Sequence, residues 1–214
     1  MPRQAQRTGA QRATARRRTE RRQPQQLRSR QTVEAILEAV VQLLQKRGVE
    51  AVTTNRVAEV AGVSIGSVYQ YFPNKRALFV ALHDRHVEQM SRLVEAALIT
   101  HAADSLEELL SQLVEAMIDA HASDPALYEL LLTEVPHRAE GARYFESRLR
   151  AALRLAITSR AKETPARDLE RTLFVVTQLL QSLCHGAVLH RPARLSLAAA
   201  KEEAVRAILA YLRS

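Results

Sequence analysis

The chain has 214 residues, with 31 Lys and Arg against 23 Asp and Glu, for a net charge of +8. Only 6 Gly and 7 Pro interrupt a composition rich in Ala and Leu, which points to an all-helical globular protein of one domain, or of a small domain with a larger companion. Its single cysteine, Cys184, excludes an intrachain disulfide and a Cys-x-x-Cys metal site, and suits a reducing compartment.

The positive charge is concentrated at the start. From Met1 to Arg30 ten arginines stand against one acid, Glu20, a net of +9 that leaves the rest of the chain at −1. Almost nothing before Leu27 asks for burial, so residues 1–27 read as a disordered Arg-rich arm. Such an arm neutralises phosphates and releases counterions from nucleic acid, or it adds solubility alone. With no apolar h-region it is not a secretory signal, and with no amphipathic stripe it makes a poor transit peptide.

Val33, Ile36, Leu37, Val40, Val41 and Leu44 recur at helical spacing, and Gly48 ends that helix. Thr53 or Thr54 caps a short helix to about Ala61. Gly62-Val63-Ser64 turns the chain, and Ser64 caps another short helix to about Tyr71. Asn74 then caps a long helix with a stripe of Leu78, Leu82, His86, Met90, Leu93, Val94 and Ala97. Leu106 to Met117 repeats the pattern, and Asp124-Pro125 opens a helix that Pro136 ends. Three more helices fit Gly141–Ala161, Ala166–His190 and Ser196–Leu212, giving about nine helices, no strand and no fixed-period repeat. The stretch Thr172–His190 lacks Asp, Glu, Lys and Arg. Its Thr, Gln, Ser and His residues argue for a helix buried between subunits rather than a membrane span.

The segment from Thr54 to Phe72 follows the helix-turn-helix plan: two short helices about a turn containing glycine. Ala58 and Ala61 permit close helix approach, Gly62 supplies a positive φ, and Val57, Ile65 and Val68 are expected to fill the small core. The second helix is too polar for packing alone. Its Ser64, Ser67, Tyr69, Gln70 and Tyr71 suit phosphate contact and base-edge readout. Gly66, a poor helix former, is explained by close approach to DNA or by a neighbouring helix.

The run Thr53-Thr54-Asn55-Arg56-Val57-Ala58-Glu59-Val60-Ala61-Gly62-Val63-Ser64-Ile65-Gly66-Ser67-Val68-Tyr69-Gln70-Tyr71-Phe72-Pro73-Asn74-Lys75 resembles the DNA-binding signature of TetR/AcrR-family transcriptional regulators. The likeness covers about Arg28 to Leu82: an Ala-Gly-Val-Ser turn, an aromatic-rich recognition helix ending Tyr-x-Tyr-Phe, and a Lys opening the fourth helix. It implies an all-α protein with an N-terminal three-helix DNA-binding domain over residues 28–76. A C-terminal effector-binding and dimerisation bundle would occupy 77–214. By matching position, Thr54, Asn55 and Arg56 face phosphate at a helix N-terminus. Ser64, Gly66, Ser67 and Gln70 approach bases or backbone, and Tyr69 and Tyr71 meet phosphate or thymine methyls. Lys75 clamps a phosphate, Arg28 and Arg30 join the DNA-binding set, and Phe72 belongs to the core.

The resemblance further implies a ligand-responsive repressor of a palindromic DNA operator, cytoplasmic and nucleoid-associated, with no cofactor and no membrane partner. Its small-molecule effector would sit inside the C-terminal bundle among Met90, Met117, His121, Tyr128, Leu131, Phe145, Phe174, Gln178 and Gln181. Few charges interrupt those faces, so an uncharged or lipophilic ligand fits better than a polyanion. The last two helices, through Leu173–Leu189 and Leu197–Leu212, would pair with a second copy as a four-helix bundle. A different class, a non-sequence-specific nucleic-acid-binding or DNA-compacting protein, would act through the basic arm instead.

Other chemistry finds weaker footing. His83 and His86 bracket Asp84 at a spacing that metals use, but no third ligand is evident, and a solvated helix face accounts for them. His121, His137, His185 and His190 could be polar groups of a pocket or satisfied core residues. Cys184 reads as a small buried hydrophobe without a resolving partner. No Gly-rich phosphate loop, nucleophile elbow or catalytic carboxylate pair is present, so no enzyme is expected.

Overall fold

The computed structural model describes residues 28–135, 140–160 and 168–214. These residues form α1 (28–47), α2 (Thr54–Ala61), α3 (Ile65–Tyr71), α4 (Lys75–Thr100), α5 (Leu106–Ala122), α6 (Pro125–Glu134), α7 (Glu140–Ser159), α8 (Leu169–Leu189) and α9 (Leu197–Arg213). Among the described residues there is no strand, and the fold is all-α. The chain divides into two compact units whose boundary, Leu78/Phe79, falls within α4. The arm 1–27 lies outside the described residues.

In the first unit α1 buries Ile36, Leu37, Val40 and Leu44 of the stripe visible in the sequence, together with Leu43, while Val33 and Val41 are half-buried. Gly48 ends it at φ 75°, and a short 3-10 turn at Val49–Ala51, which the periodicity does not reveal, leads to Thr53. Thr53 Oγ1 accepts from Arg56 N at 3.3 Å and caps α2, a contact of the kind that contributes about 1 kcal/mol. Gly62 stops α2 at φ 67°, with Gly62 N on Glu59 O and Val63 N on Ala58 O, a Schellman ending. Ser64 Oγ then accepts from Ser67 N at 3.0 Å to start α3. Val57, Ala58, Val68 and Phe72 are buried where α2 and α3 meet. Ile65 differs from expectation. It is the first residue of α3, past the end of that packed seam, and is 39% exposed.

In the second unit α5 and α8 form the centre. α9 packs on both, α7 packs on α8, and α6 touches α5 and α8. Leu109, Leu110, Leu113, Val114, Met117 and Ile118 of α5 meet Leu173, Val176 and Leu180 of α8 and Ile208 of α9 in one apolar core. Truncating one of these leucines to alanine costs about 2–5 kcal/mol, so packing outweighs exposed ion pairs such as Arg213–Glu107. Two loops are fastened by polar contacts. Arg160, after α7, donates from Nε to Asp104 O at 2.8 Å and from Nη2 to His101 O at 2.9 Å. Asp168 caps α8 through Glu170 N, three residues later than the sequence suggests. Helix α8 is the one described helix long and apolar enough to cross a membrane by length and composition. Seven of its residues are nevertheless buried within this subunit's own packing.

Candidate nucleic-acid interface and effector cavity

Helix α3 presents Ile65, Gly66, Tyr69 and Gln70 together on one exposed face, while Val68 and Phe72 point into the core. Ser64 is exposed at its start, and Ser67 and Tyr71 are half-buried at its sides. A side chain added at Gly66 would meet nothing closer than Ser64 Oγ at 3.8 Å. Among the described residues no neighbouring helix stands against that glycine. Tyr69 is 51% exposed, and its hydroxyl lies 3.2 Å from Thr54 Oγ1, aligning the exposed start of α2 with the middle of α3. Asn55 and Arg56 are exposed beside it, as are Arg28 and Arg30 on α1.

Two of the nominated residues, Tyr71 and Lys75, are tethered to parts of the chain outside α2 and α3. Tyr71 Oη lies 2.7 Å from Ser29 Oγ, tying α3 to α1. Lys75 is half-buried and its Nζ donates to Val49 O at 3.0 Å, holding the 3-10 turn. The sequence gives no sign of these tethers, because each joins residues at least 26 positions apart.

The second unit holds a partly open cavity of about 490 Å³, within the range of small-molecule sites. Val87 and Met90 of α4, Met117 of α5, Leu131 and Leu132 of α6 and Phe145 of α7 supply its apolar wall. Its polar side gathers His83 and His86 from α4, His121 from α5, Tyr128 from α6, and Gln181, Ser182 and His185 from α8. The rings form a chain of contacts: His86 to His121 at 5.1 Å between centroids, His121 to Tyr128 at 4.0 Å, and Tyr128 to His185 at 6.1 Å. His185 continues to His190, with Nε2 atoms 3.1 Å apart.

Desolvation governs the ionisation of this cluster. Burial, then the neighbouring His121 and His83, push His86 down from 6.5 to about 3. Burial pushes His121 down to about 4, against the pull of the nearby Met117 carbonyl, which does not reach hydrogen-bonding geometry with Nδ1. His185 is lowered by burial and then by His190. Burial raises Tyr128 to about 12 and Cys184, also in the wall, to about 12. At neutral pH His86 and His121 are therefore neutral imidazoles, Tyr128 a phenol and Cys184 a thiol. Among the described residues no group of three or more His, Cys, Asp or Glu is placed to hold a metal ion.

Residues 36–82 match the family described as bacterial regulatory proteins, tetR family, and residues 105–212 match the tetracyclin repressor-like C-terminal domain. The chain belongs to the TetR family. It is thus a helix-turn-helix, DNA-binding transcriptional regulator. It is 37% identical over 65 residues to the nucleoid occlusion factor SlmA of Haemophilus ducreyi, covering 30% of this chain and 32% of that protein. It is 39% identical over 66 residues to the HTH-type transcriptional regulator YvkB of Bacillus subtilis, covering 31% of this chain and 35% of the other. These matches span about a third of each curated relative's length. A TetR-family transcriptional regulator from Streptomyces coelicolor superposes with a TM-score of 0.61 at 26% identity, covering 85% of this chain and 97% of the other.

Within this TetR-family chain the nominated effector residues divide. Met90, Met117, His121, Tyr128, Leu131, Phe145 and Gln181 line the cavity. Phe174 and Gln178 do not; they are exposed on α8. The cavity takes in α8 only from Gln181 onward, and Phe174 lies seven residues earlier, about 10 Å along the axis. The solvated-face reading of His83 and His86 is corrected too: both are half-buried and turned into the cavity, and only Asp84 is exposed. Helix α7 runs close to that point: a Cβ at Gly141 would stand 2.5 Å from Asp84 Oδ1 and 3.2 Å from His83 Nδ1. A signal for His86 existed, since it precedes Met90 by one turn on the α4 stripe. Cys184 and His185 similarly follow Gln181 at i+3 and i+4. His137 lies outside the described residues.

Proposed function

We propose that this TetR-family protein is a ligand-responsive repressor that binds a palindromic operator as a homodimer and is released by a small, lipophilic or uncharged effector. The observation that carries the reading is Gly66, an exposed helical glycine with open space before it, at the centre of a polar and aromatic surface on α3. In this reading Tyr69, Gln70 and Ser64 reach bases or phosphates in the major groove, and Asn55 and Arg56 hold phosphate at the start of α2. Lys75 and Tyr71 orient the reading surface through Val49 and Ser29, and contact to phosphate is an additional role for both.

The effector occupies the cavity of the second unit, and pairing through α8 and α9 sets the separation of two recognition helices. Ligand binding favours a dimer whose spacing no longer matches the operator, and so weakens DNA binding by linkage. Such a protein works in the cytoplasm on nucleoid DNA. The net +9 of the first thirty residues favours one competing reading, a binder without sequence preference that acts through its arm.

Selection of sites from a random duplex library at near-physiological salt separates the two. A palindromic consensus supports the dimeric repressor. Binding without consensus that disappears as salt rises leaves the arm as the main contact and overturns the repressor reading.

A further inference from the structure

The lining of the cavity gives the effector a chemical class, in an inference that rests on the effector reading above. Four imidazoles from three helices and one phenol converge on a space whose remaining lining is mostly apolar, with Gln181, Ser182 and Glu146 as its other polar side chains. His121 is only 6% exposed, and its Nδ1 has no hydrogen-bond partner. A buried donor or acceptor without a partner is a gain open to any ligand group that reaches it.

The chemistry of the wall discriminates between ligand charges. A buried charge needs a partner of opposite sign or a proton to neutralise it. For an ammonium group the lining offers, among the described residues, only one carboxylate, Glu146, and that side chain is exposed. For an acid it offers bases: each imidazole can take a proton, and the Tyr128 phenol can donate to a carboxyl oxygen. A neutral alcohol can hydrogen-bond to part of this set, but it brings no charge that an added proton would neutralise.

We propose that the cavity binds an organic acid, its apolar body against Met90, Leu131 and Phe145 and its carboxyl group received by His86, His121 and Tyr128, with one proton taken up from solution. The proton count is the same by either route. The acid arrives ionised, and the proton comes to rest on the carboxyl group or on an imidazole, so the filled cavity gains no net charge. His86 and His121 are held neutral by burial before the acid arrives, while Tyr128 and Cys184 keep their protons. His185 from α8 faces the same space and is lowered by burial and by His190. His83 from α4 and Glu146 from α7 are the other titratable groups turned toward it.

The test is calorimetric titration of the full chain with decanoate, 1-decanol and decylamine, repeated in buffers of different ionisation enthalpy. Decanoate is expected to bind at least about tenfold tighter than the other two near pH 6.5, with uptake close to one proton. Its Kd then weakens nearly tenfold per pH unit toward about pH 8. His86→Gln and His121→Gln weaken decanoate by about tenfold or more and leave decanol nearly unchanged; the pH slope of the unaltered protein needs no variant. Decanol or decylamine binding as tightly as decanoate, decanoate binding without proton uptake, or no binding by any of the three overturns the proposal. Operator affinity is read separately. Decanoate bound with proton uptake but without effect on operator binding sustains the acid site and overturns the effector reading instead.

Discussion

The two units place their polar side chains in opposite environments. Helix α3 holds Ser64, Tyr69 and Gln70 at the surface, hydrated until a partner arrives, whereas the second unit turns His86, His121 and Tyr128 inward and dehydrates them in advance. The difference teaches which variable each unit answers to. In the operator-binding reading, the exposed cations beside α3, such as Arg56, respond to salt, because neutralising a phosphate releases counterions. Buried imidazoles respond to pH, because burial has already displaced their protonation from the range they show in water.

The largest effect expected from this contrast is on acid stability. His86 and His121 titrate near 3 and 4 when folded, against 6.5 when exposed. Their folded values are depressed, so the unfolded chain binds protons first as pH falls below 6.5. The stability they contribute at neutral pH is then lost progressively down to the folded values. Each histidine accounts for about 2 kcal/mol by pH 5. Urea unfolding at pH 7 and pH 5 is expected to show this loss in the unaltered protein and a smaller one in His86→Gln and His121→Gln. Equal losses in all three would break the contrast between the units.

A second effect, on DNA binding, runs in the opposite direction from stability. Gly66→Leu places a side chain where the chain itself has room, and it relieves a poor helix former by about 0.5–1 kcal/mol. Operator affinity, measured by fluorescence anisotropy, is expected to fall by about a hundredfold, or about 2.7 kcal/mol, while the melting temperature holds or rises. Undiminished affinity would remove close backbone approach as the reason for that glycine.

Much of the fold is legible because its signals are local. Thr53, Ser64, Asn74 and Asp124 each cap a helix within three residues, and Gly62 stops α2 by a conformation that few other residues adopt. The apolar stripe of α5 repeats at helical spacing and is buried as spaced. What stays hidden depends on distance along the chain. The facing of His83 and His86 is decided by helices α5 to α8, and a solvated face and a cavity wall look alike over four residues of sequence. Phe174 shows the reverse error, since its aromatic ring suggests a pocket while its place on α8 lies beyond the cavity's reach.

Lys75 sharpens the contrast from within the first unit, since a tether and a phosphate clamp give different salt dependences. Lys75→Met removes the bond to Val49 O, a charge-assisted contact whose loss is expected to lower stability by about 1–2 kcal/mol. If the residue acts through the 3-10 turn alone, operator affinity falls while the slope of log affinity against log salt is unchanged. If it also neutralises a phosphate, that slope falls by about one.

The smallest expected effect belongs to Tyr71. Its hydroxyl pairs with Ser29 and not with solvent alone, so Tyr71→Phe should cost about 1 kcal/mol of stability, and Ser29→Ala about the same. The double variant is then expected to cost little more than either single one, because both remove the same bond. Tyr69→Phe supplies the comparison. Its hydroxyl meets Thr54 at 3.2 Å on an exposed surface, so stability should move by less than about 0.5 kcal/mol while operator affinity drops several-fold. Had Tyr71 served mainly as a DNA contact, its substitution would follow the Tyr69 pattern, and thermal melts beside anisotropy titrations of the same variants read the two patterns directly. A surface phenol that alters affinity without stability, and a tethered one that alters stability first, would place the boundary between reading surface and scaffold within a single turn of α3.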